Sequence, residues 1–386
     1  MDEQTLFFSL IRTVICGEKP NSALRDACTP EKLEAVYRMA ARHDLAHLVG
    51  QAVSTLDLPQ SEIMDTCKQA AMAAFVRQLR LEQAFLKVRQ AFETAGIRFI
   101  PLKGLILREY YPEPWMRTSS DMDILVREED LQKATELLKA SLGYCYHKQS
   151  SHDVALISPE KVYLELHYST IEDFISPDAH RVMERVWETA VPAHGFTCQL
   201  EISDELFYYY HMAHAAKHFM GGGCGIRAVL DTWVLENRVD HCRESREALL
   251  GQGGMLAFAR GVEKLSQSWF DGEPPDVMTQ TMGNYILTGG NFGTLENMVC
   301  MKQTKQGGKV KYALSRIFLP YHTLRYQYPI LQKYKILFPV FQVVRWCKLL
   351  FKGGADRGIQ ELQTNANLPS GEQNTAAELL HYLQLQ

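Results

Sequence analysis

Asp121 and Asp123 stand one residue apart in Ser-Asp-Met-Asp-Ile-Leu-Val, a stretch that reads as a β-strand. Strand side chains alternate, so both carboxylates point to one face while Met122, Ile124 and Val126 point to the other. Like charges that close repel, and one carboxyl keeps its proton unless a cation lies between them. Further along, Val-Tyr-Leu-Glu-Leu-His-Tyr puts Tyr163, Glu165 and His167 on one face of a second strand. Val162, Leu164, Leu166 and Tyr168 line its other face. Three carboxylates on neighbouring strands make an oxygen cage suited to Mg²⁺ or Mn²⁺, ions that favour carboxylates, water and phosphate oxygens. Two such ions would hold a triphosphate, activate a hydroxyl and stabilise leaving pyrophosphate. Lys103 and Arg117 would bring positive charge to phosphate oxygens, and Gly104 would let the backbone approach them. Any one piece recurs by chance; the ordered set points to a site.

The elements around these residues form a pattern. The chain before Gly96 reads as helices, with Thr29 as N-cap, Pro30 at the first helical position and a long helical run ended by Gly96. The rhythm then changes to strand (Ile-Arg-Phe-Ile-Pro-Leu), short helix, strand (the Asp121–Val126 stretch), amphipathic helix ended by Gly143, and two further strands. After Asp204 the chain returns to helix. The reading is an α+β protein: a small mixed sheet at 97–203, a helical region at 1–96, a helical domain closing the cleft at 204–300, and a basic aromatic segment with a polar tail at 301–386.

With 386 residues the chain is long enough for two or three domains, and 46% hydrophobic with 22% charged residues is a globular composition. Nine cysteines without a CxxC pair argue for reduced thiols and a cytoplasmic protein, against a disulfide framework or a zinc ribbon. No apolar run reaches the length of a membrane span, and the acidic start is unlike a signal peptide. The net charge of −4 hides an asymmetry: 301–352 holds eleven Lys or Arg and no Asp or Glu. That segment would suit an anionic partner.

The site residues carry a resemblance to the nucleotidyltransferase superfamily of DNA polymerase β, and more closely to an uncharacterised bacterial nucleotidyltransferase family. It rests on Leu102-Lys103-Gly104, Tyr110-Tyr111-Pro112, Arg117, Asp121 to Val126, Gly143-Tyr144 and Glu165-Leu166-His167. It continues in His-Met-Ala-His-Ala-Ala-Lys-His-Phe, in Gly-Cys-Gly-Ile-Arg-Ala-Val-Leu-Asp and in the stretch from Tyr328 to Trp346. Gly104-Leu105 departs from the superfamily's usual Gly-Ser or Gly-Gly turn. The resemblance implies transfer of an NMP group from an NTP to an acceptor. Asp121, Asp123 and Glu165 would be metal ligands and catalytic groups; Lys103, Gly104, Arg117, His167 and Lys217 would bind nucleotide. The acceptor would be a small hydroxylated molecule, an RNA end or a protein, with a silent nucleotide-binding scaffold as the alternative.

Other features have plainer readings. His211, His214 and His218 fall near one helical face, where zinc binding competes with an interdomain helix whose imidazoles hydrogen-bond across the cleft; the absence of an HExxH glutamate or a nearby cysteine pair favours the latter. Lys217 would either reach the triphosphate or stay solvated. Arg227 and Asp231, one turn apart, read as a structural ion pair. Gly-Gly-Gly-Cys-Gly reads as a helix end and turn. The basic aromatic stretch would lie on an anionic membrane, cradle RNA, or pack as a helix broken at Pro339 with its cations in solvent; the last reading is favoured.

Overall fold

In the computed structural model the long helical pattern forms one helix, Glu62–Ala95, ended by Gly96 in the left-handed conformation (φ 65°). The description covers residues 1–150, 152–170, 177–291, 293–351 and 355–385; Lys352, the last cation of the basic stretch, lies outside the described residues. Helix Pro30–Arg42 begins as expected, its N-cap Thr29 accepting from the Lys32 amide. A turn with Asp44 at φ 55° then separates it from helix Ala46–Thr55. That second helix lies tightly on the long one at Gly50, where a Cβ would sit 2.0 Å from the Cys67 carbonyl oxygen.

The mixed sheet has five strands: β1 (Phe99–Pro101), β2 (Asp121–Val126), β3 (Cys145–Gln149), β4 (Asp153–Ile157) and β5 (Tyr163–His167). Their order is β1-β2-β5-β4-β3, with β2 and β5 parallel and the other neighbours antiparallel. The fold is α+β, as read from the sequence. Strand β3 was not among the expected strands. All five of its residues are exposed, so it carries no apolar alternation to signal it. A short ribbon of β6 (Val191–Pro192) and β7 (Leu200–Glu201) was likewise unforeseen.

One face of the sheet is sealed. Met122, Ile124 and Val126 of β2 join Leu164 and Leu166 of β5, Val154 and Leu156 of β4, and Phe99 of β1. Leu81, Val88 and Phe92 of the long helix and Ala134 and Leu138 of helix Leu131–Leu142 cover them. Burial of this apolar set is the main stabilising term of the core.

The described chain divides into two compact units, one of Met1–Ala215 with Ile226–Thr279, the other of Ala216–Gly225 with Gln280–Gln386. In the second unit Pro339 does not break a helix. It lies in the first turn of helix Phe338–Phe351, where a proline withholds no needed N–H. The polar tail forms helix Ala355–Asn367, whose buried Glu361 pairs with Arg316 at 2.8 Å.

Candidate active site

The parallel pairing of β2 with β5 sets Asp123 opposite Glu165, Asp121 opposite Tyr163 and Leu125 opposite His167. With opposed residues in register, the carboxylates and the imidazole emerge on the sheet face away from the apolar core. Lys103 reaches the same point from the turn after β1. Its Nζ donates to Asp123 Oδ1 at 2.6 Å, and His167 Nε2 donates to that same oxygen at 2.8 Å. His167 Nε2 also stands 3.6 Å from Glu165 Oε2. Asp123 and His167 are buried.

The turn that delivers Lys103 is strained. Lys103 has φ 48° and ψ −120°, the first central position of a turn that glycine normally fills. The Leu105 amide closes it onto the Leu102 carbonyl, and the Leu102 amide ties it to Asp123. Gly104 serves packing: a Cβ there would meet Ser119 Cβ and Oγ at 3.2 Å. Beneath it, buried Arg108 donates to the Gly104 carbonyl, to Gln78 and, at 2.9 Å, to Ser119. Burial and the nearby Arg117 push Arg108 down to about 10.

The electrostatics follow from this crowding. Burial, then the charge of Asp123, pushes the Asp121 carboxyl up to about 6, with Lys103 opposing. Burial works the same way on Asp123, but Lys103 and His167 outweigh it and hold its carboxyl well below the ordinary range. The His167 imidazole, 3.6 Å away, lowers Glu165. Burial would lower His167, yet its hydrogen bond to Asp123 and the neighbouring Glu165 carboxylate raise it. Tyr210, on helix Asp204–Met220, is buried and interacts electrostatically with Lys103, Asp123, Glu165 and Asp121; burial raises its phenol. Sequence reasoning missed Tyr210 because three consecutive tyrosines in a helix read as core.

The first unit thus brings together Lys103, Asp121, Asp123, Glu165 and His167. Arg117 is corrected. Its Nε and Nη2 donate to the two oxygens of Asp231 at 2.7 and 2.9 Å, and its Nη1 donates to the Thr118 carbonyl. Three of the five N–H donors of this buried guanidinium are so committed, and its bidentate edge faces Asp231 rather than the carboxylate cluster. Asp231 also accepts from Tyr111 at 2.7 Å, and Arg227 pairs with Asp44, so the expected Arg227–Asp231 pair is replaced by two longer-range ones. Lys217 belongs to the second unit. His211 hydrogen-bonds between helices, to the Ala228 carbonyl at 3.2 Å and Thr232 Oγ1 at 3.1 Å.

One ligand atom from each of Asp123, Glu165 and His167 lies within 4.8 Å of the others, the one such His, Cys, Asp or Glu group among the described residues. Asp121, two residues before Asp123 on the same strand, stands beside that set. The model of an uncharacterised nucleotidyltransferase family matches residues 29–270. The chain belongs to that family. The match spans the sheet, the long helix beneath it and the Lys103 turn, and it ends before the basic stretch from Tyr328 to Trp346. No curated protein and no solved structure matches.

Proposed function

We propose that this nucleotidyltransferase moves an NMP group from an NTP to an acceptor hydroxyl, releasing pyrophosphate, with Asp121, Asp123 and Glu165 holding Mg²⁺ or Mn²⁺. The observation that carries the reading is the register of β2 against β5, which sets Asp123 beside Glu165 with Asp121 on the same strand face. Three carboxylates against one lysine leave negative charge to be balanced, and the donor set fits a hard cation. When bound, the ion would polarise the phosphates and lower the pKa of the attacking hydroxyl.

The chain's own groups supply the rest. Lys103 Nζ, held by Asp123 at 2.6 Å, has phosphate oxygens as its alternative partner once a cation takes over the carboxylate. Glu165, lowered by His167, is ionised at neutral pH and can accept the acceptor's proton. His167 keeps both carboxylates oriented. Tyr210 is buried within electrostatic reach of the cluster. The acceptor hydroxyl would come from a small molecule, an RNA end or a protein side chain.

Calorimetric titration of a non-hydrolysable NTP, with and without Mg²⁺, tests the reading. Coupled binding is expected in the wild type and should be absent when Asp121→Asn and Asp123→Asn are combined. Unchanged binding in the double variant would overturn the assignment. Nucleotide binding without turnover on any acceptor class would support the scaffold alternative.

A further inference from the structure

Helix Phe338–Phe351 is apolar in sequence, yet Gln342 is its one buried side chain among those described. Val340, Val343 and Cys347 fall at i, i+3 and i+7 and are all exposed, continuing from Ile336, which is 87% exposed in the preceding turn. Helix Lys309–Ile317 repeats the pattern. Val310 (73% exposed), Leu314 and Ile317 stand at i, i+4 and i+7, with exposed Phe318 next. The two helices that carry these stripes touch within the second unit. Trp346 Nε1 and Arg345 Nη1 both donate to the Ile317 carbonyl, at 2.9 and 3.0 Å, and the Phe318 and Trp346 rings meet edge to face at 5.3 Å.

Every charge on these two helices and on the chain between them is positive. Lys311, Lys333, Lys335 and Lys348 are exposed, and 301–352 contains no acidic residue. We propose that this surface docks on an anionic lipid bilayer, the two aliphatic stripes entering the headgroup–acyl boundary and the lysines meeting anionic headgroups. The charge excludes a neutral apolar partner as the best fit, and the apolar stripes separate lipid from RNA. Single-stranded RNA is bound by stacking bases on aromatic faces. Here those faces are engaged internally: Tyr321 with Phe338, Tyr328 with Phe341, Phe318 with Trp346, and Lys348 lies over Tyr328 at 4.6 Å. What remains outward is mostly aliphatic, Phe318 and Tyr334 being the half-exposed aromatic exceptions. No helix among the described residues is long and apolar enough to cross a membrane, so the contact is with one leaflet.

Sedimentation of the full chain with vesicles tests this, using phosphatidylcholine alone, phosphatidylcholine with about one-third phosphatidylserine, and single-stranded RNA as a competitor. Binding is expected to the phosphatidylserine vesicles and to weaken with salt. Lys335→Gln and Lys348→Gln should each reduce it roughly fivefold. Ile336→Ser with Val340→Ser should reduce it by about tenfold per side chain, with circular dichroism unchanged because both residues are exposed. Ile336→Ser alone serves if the pair perturbs folding. No binding at low salt would overturn the proposal. So would serine variants that bind as the wild type does, or RNA that displaces the vesicles and binds through the lysines alone.

Discussion

Two buried carboxylates in the first unit, Asp123 and Asp231, are each held by a cation, and the difference between them separates structure from chemistry. Asp231 receives both arms of Arg117 and the Tyr111 hydroxyl, so its charge is matched and its oxygens are filled. Burial would raise Asp231, but Arg117 outweighs it and lowers the carboxyl. Asp123 receives Lys103 and His167 on a single oxygen, while Asp121 and Glu165 crowd the same face. The first arrangement is closed; the second keeps more negative than positive charge. A fold gains nothing from the second that the first does not supply more cheaply, and in the proposed function a cation and a triphosphate would answer that surplus.

Breaking the closed pair should have the largest effect on stability. Asp231→Ala strands a buried guanidinium, and loss of one partner from a buried pair costs about 3–5 kcal/mol. Denaturant unfolding is expected to show that loss, and Asp231→Asn should retain part of it. A change under about 1 kcal/mol would mean that Arg117 has found water, and the contrast would fail.

The open site should respond the other way. Glu165→Gln keeps shape and removes charge from a strand whose opposite face is already packed by Leu164 and Leu166. Turnover should fall by about a hundred- to a thousandfold, with stability nearly unchanged. Thermal melts with and without Mg²⁺ and NTP add a second reading: wild type should gain melting temperature from the pair of ligands and the variant should not. Equal gains would remove Glu165 from the site.

How much of this was legible in the sequence follows from the same contrast. Strand alternation put Asp121 with Asp123 and Glu165 with His167, because a strand's period is a local property. The long helix and its stop at Gly96 were equally local. The partner of Arg117 was not. Asp231 lies 114 residues away, and a short-range spacing argument paired it with Arg227 instead. Strand β3 went unseen because an exposed edge strand needs no apolar period, and Tyr210 because three consecutive tyrosines in a helix read as core. The basic helix was read as core-packing from composition. Composition counts apolar residues but does not say which of them find partners.

A buried histidine in the same unit gives a pH test that leaves the site untouched. Burial pushes His47 down from 6.5 to about 4, while its Nε2 bonds the Met116 carbonyl at 2.8 Å. The unfolded chain takes up this proton near 6.5 and the folded chain only near 4. Its contribution is therefore whole above 6.5 and declines as pH falls between these values, by about 3 kcal/mol when complete. His47→Gln, which can still donate to Met116, should flatten the stability difference between neutral pH and about pH 5. An unchanged slope would place the acid sensitivity in other groups.

The smallest expected effect bears most directly on the open site, because it concerns the strain that holds Lys103 in place. A side chain at φ 48° and ψ −120° costs about 1–3 kcal/mol. Glycine adopts that geometry freely but adds about 0.5–1 kcal/mol of unfolded-state entropy. Comparing Lys103→Gly with wild type would mix this strain with loss of the ion pair to Asp123. Comparing Lys103→Gly with Lys103→Met does not, since both variants lack the ammonium. The glycine variant should be the more stable by about 1 kcal/mol, measured as a shift in denaturant midpoint at constant slope. Both variants should bind Mg²⁺ and NTP more weakly than wild type, because neither brings a cation to the phosphates. If the methionine variant is as stable as the glycine one, the turn is relaxed in solution and Lys103 is not held against Asp123 by its backbone. The lysine would then be a mobile surface cation, and the open cluster would lose the feature that most distinguishes it from the closed pair at Asp231.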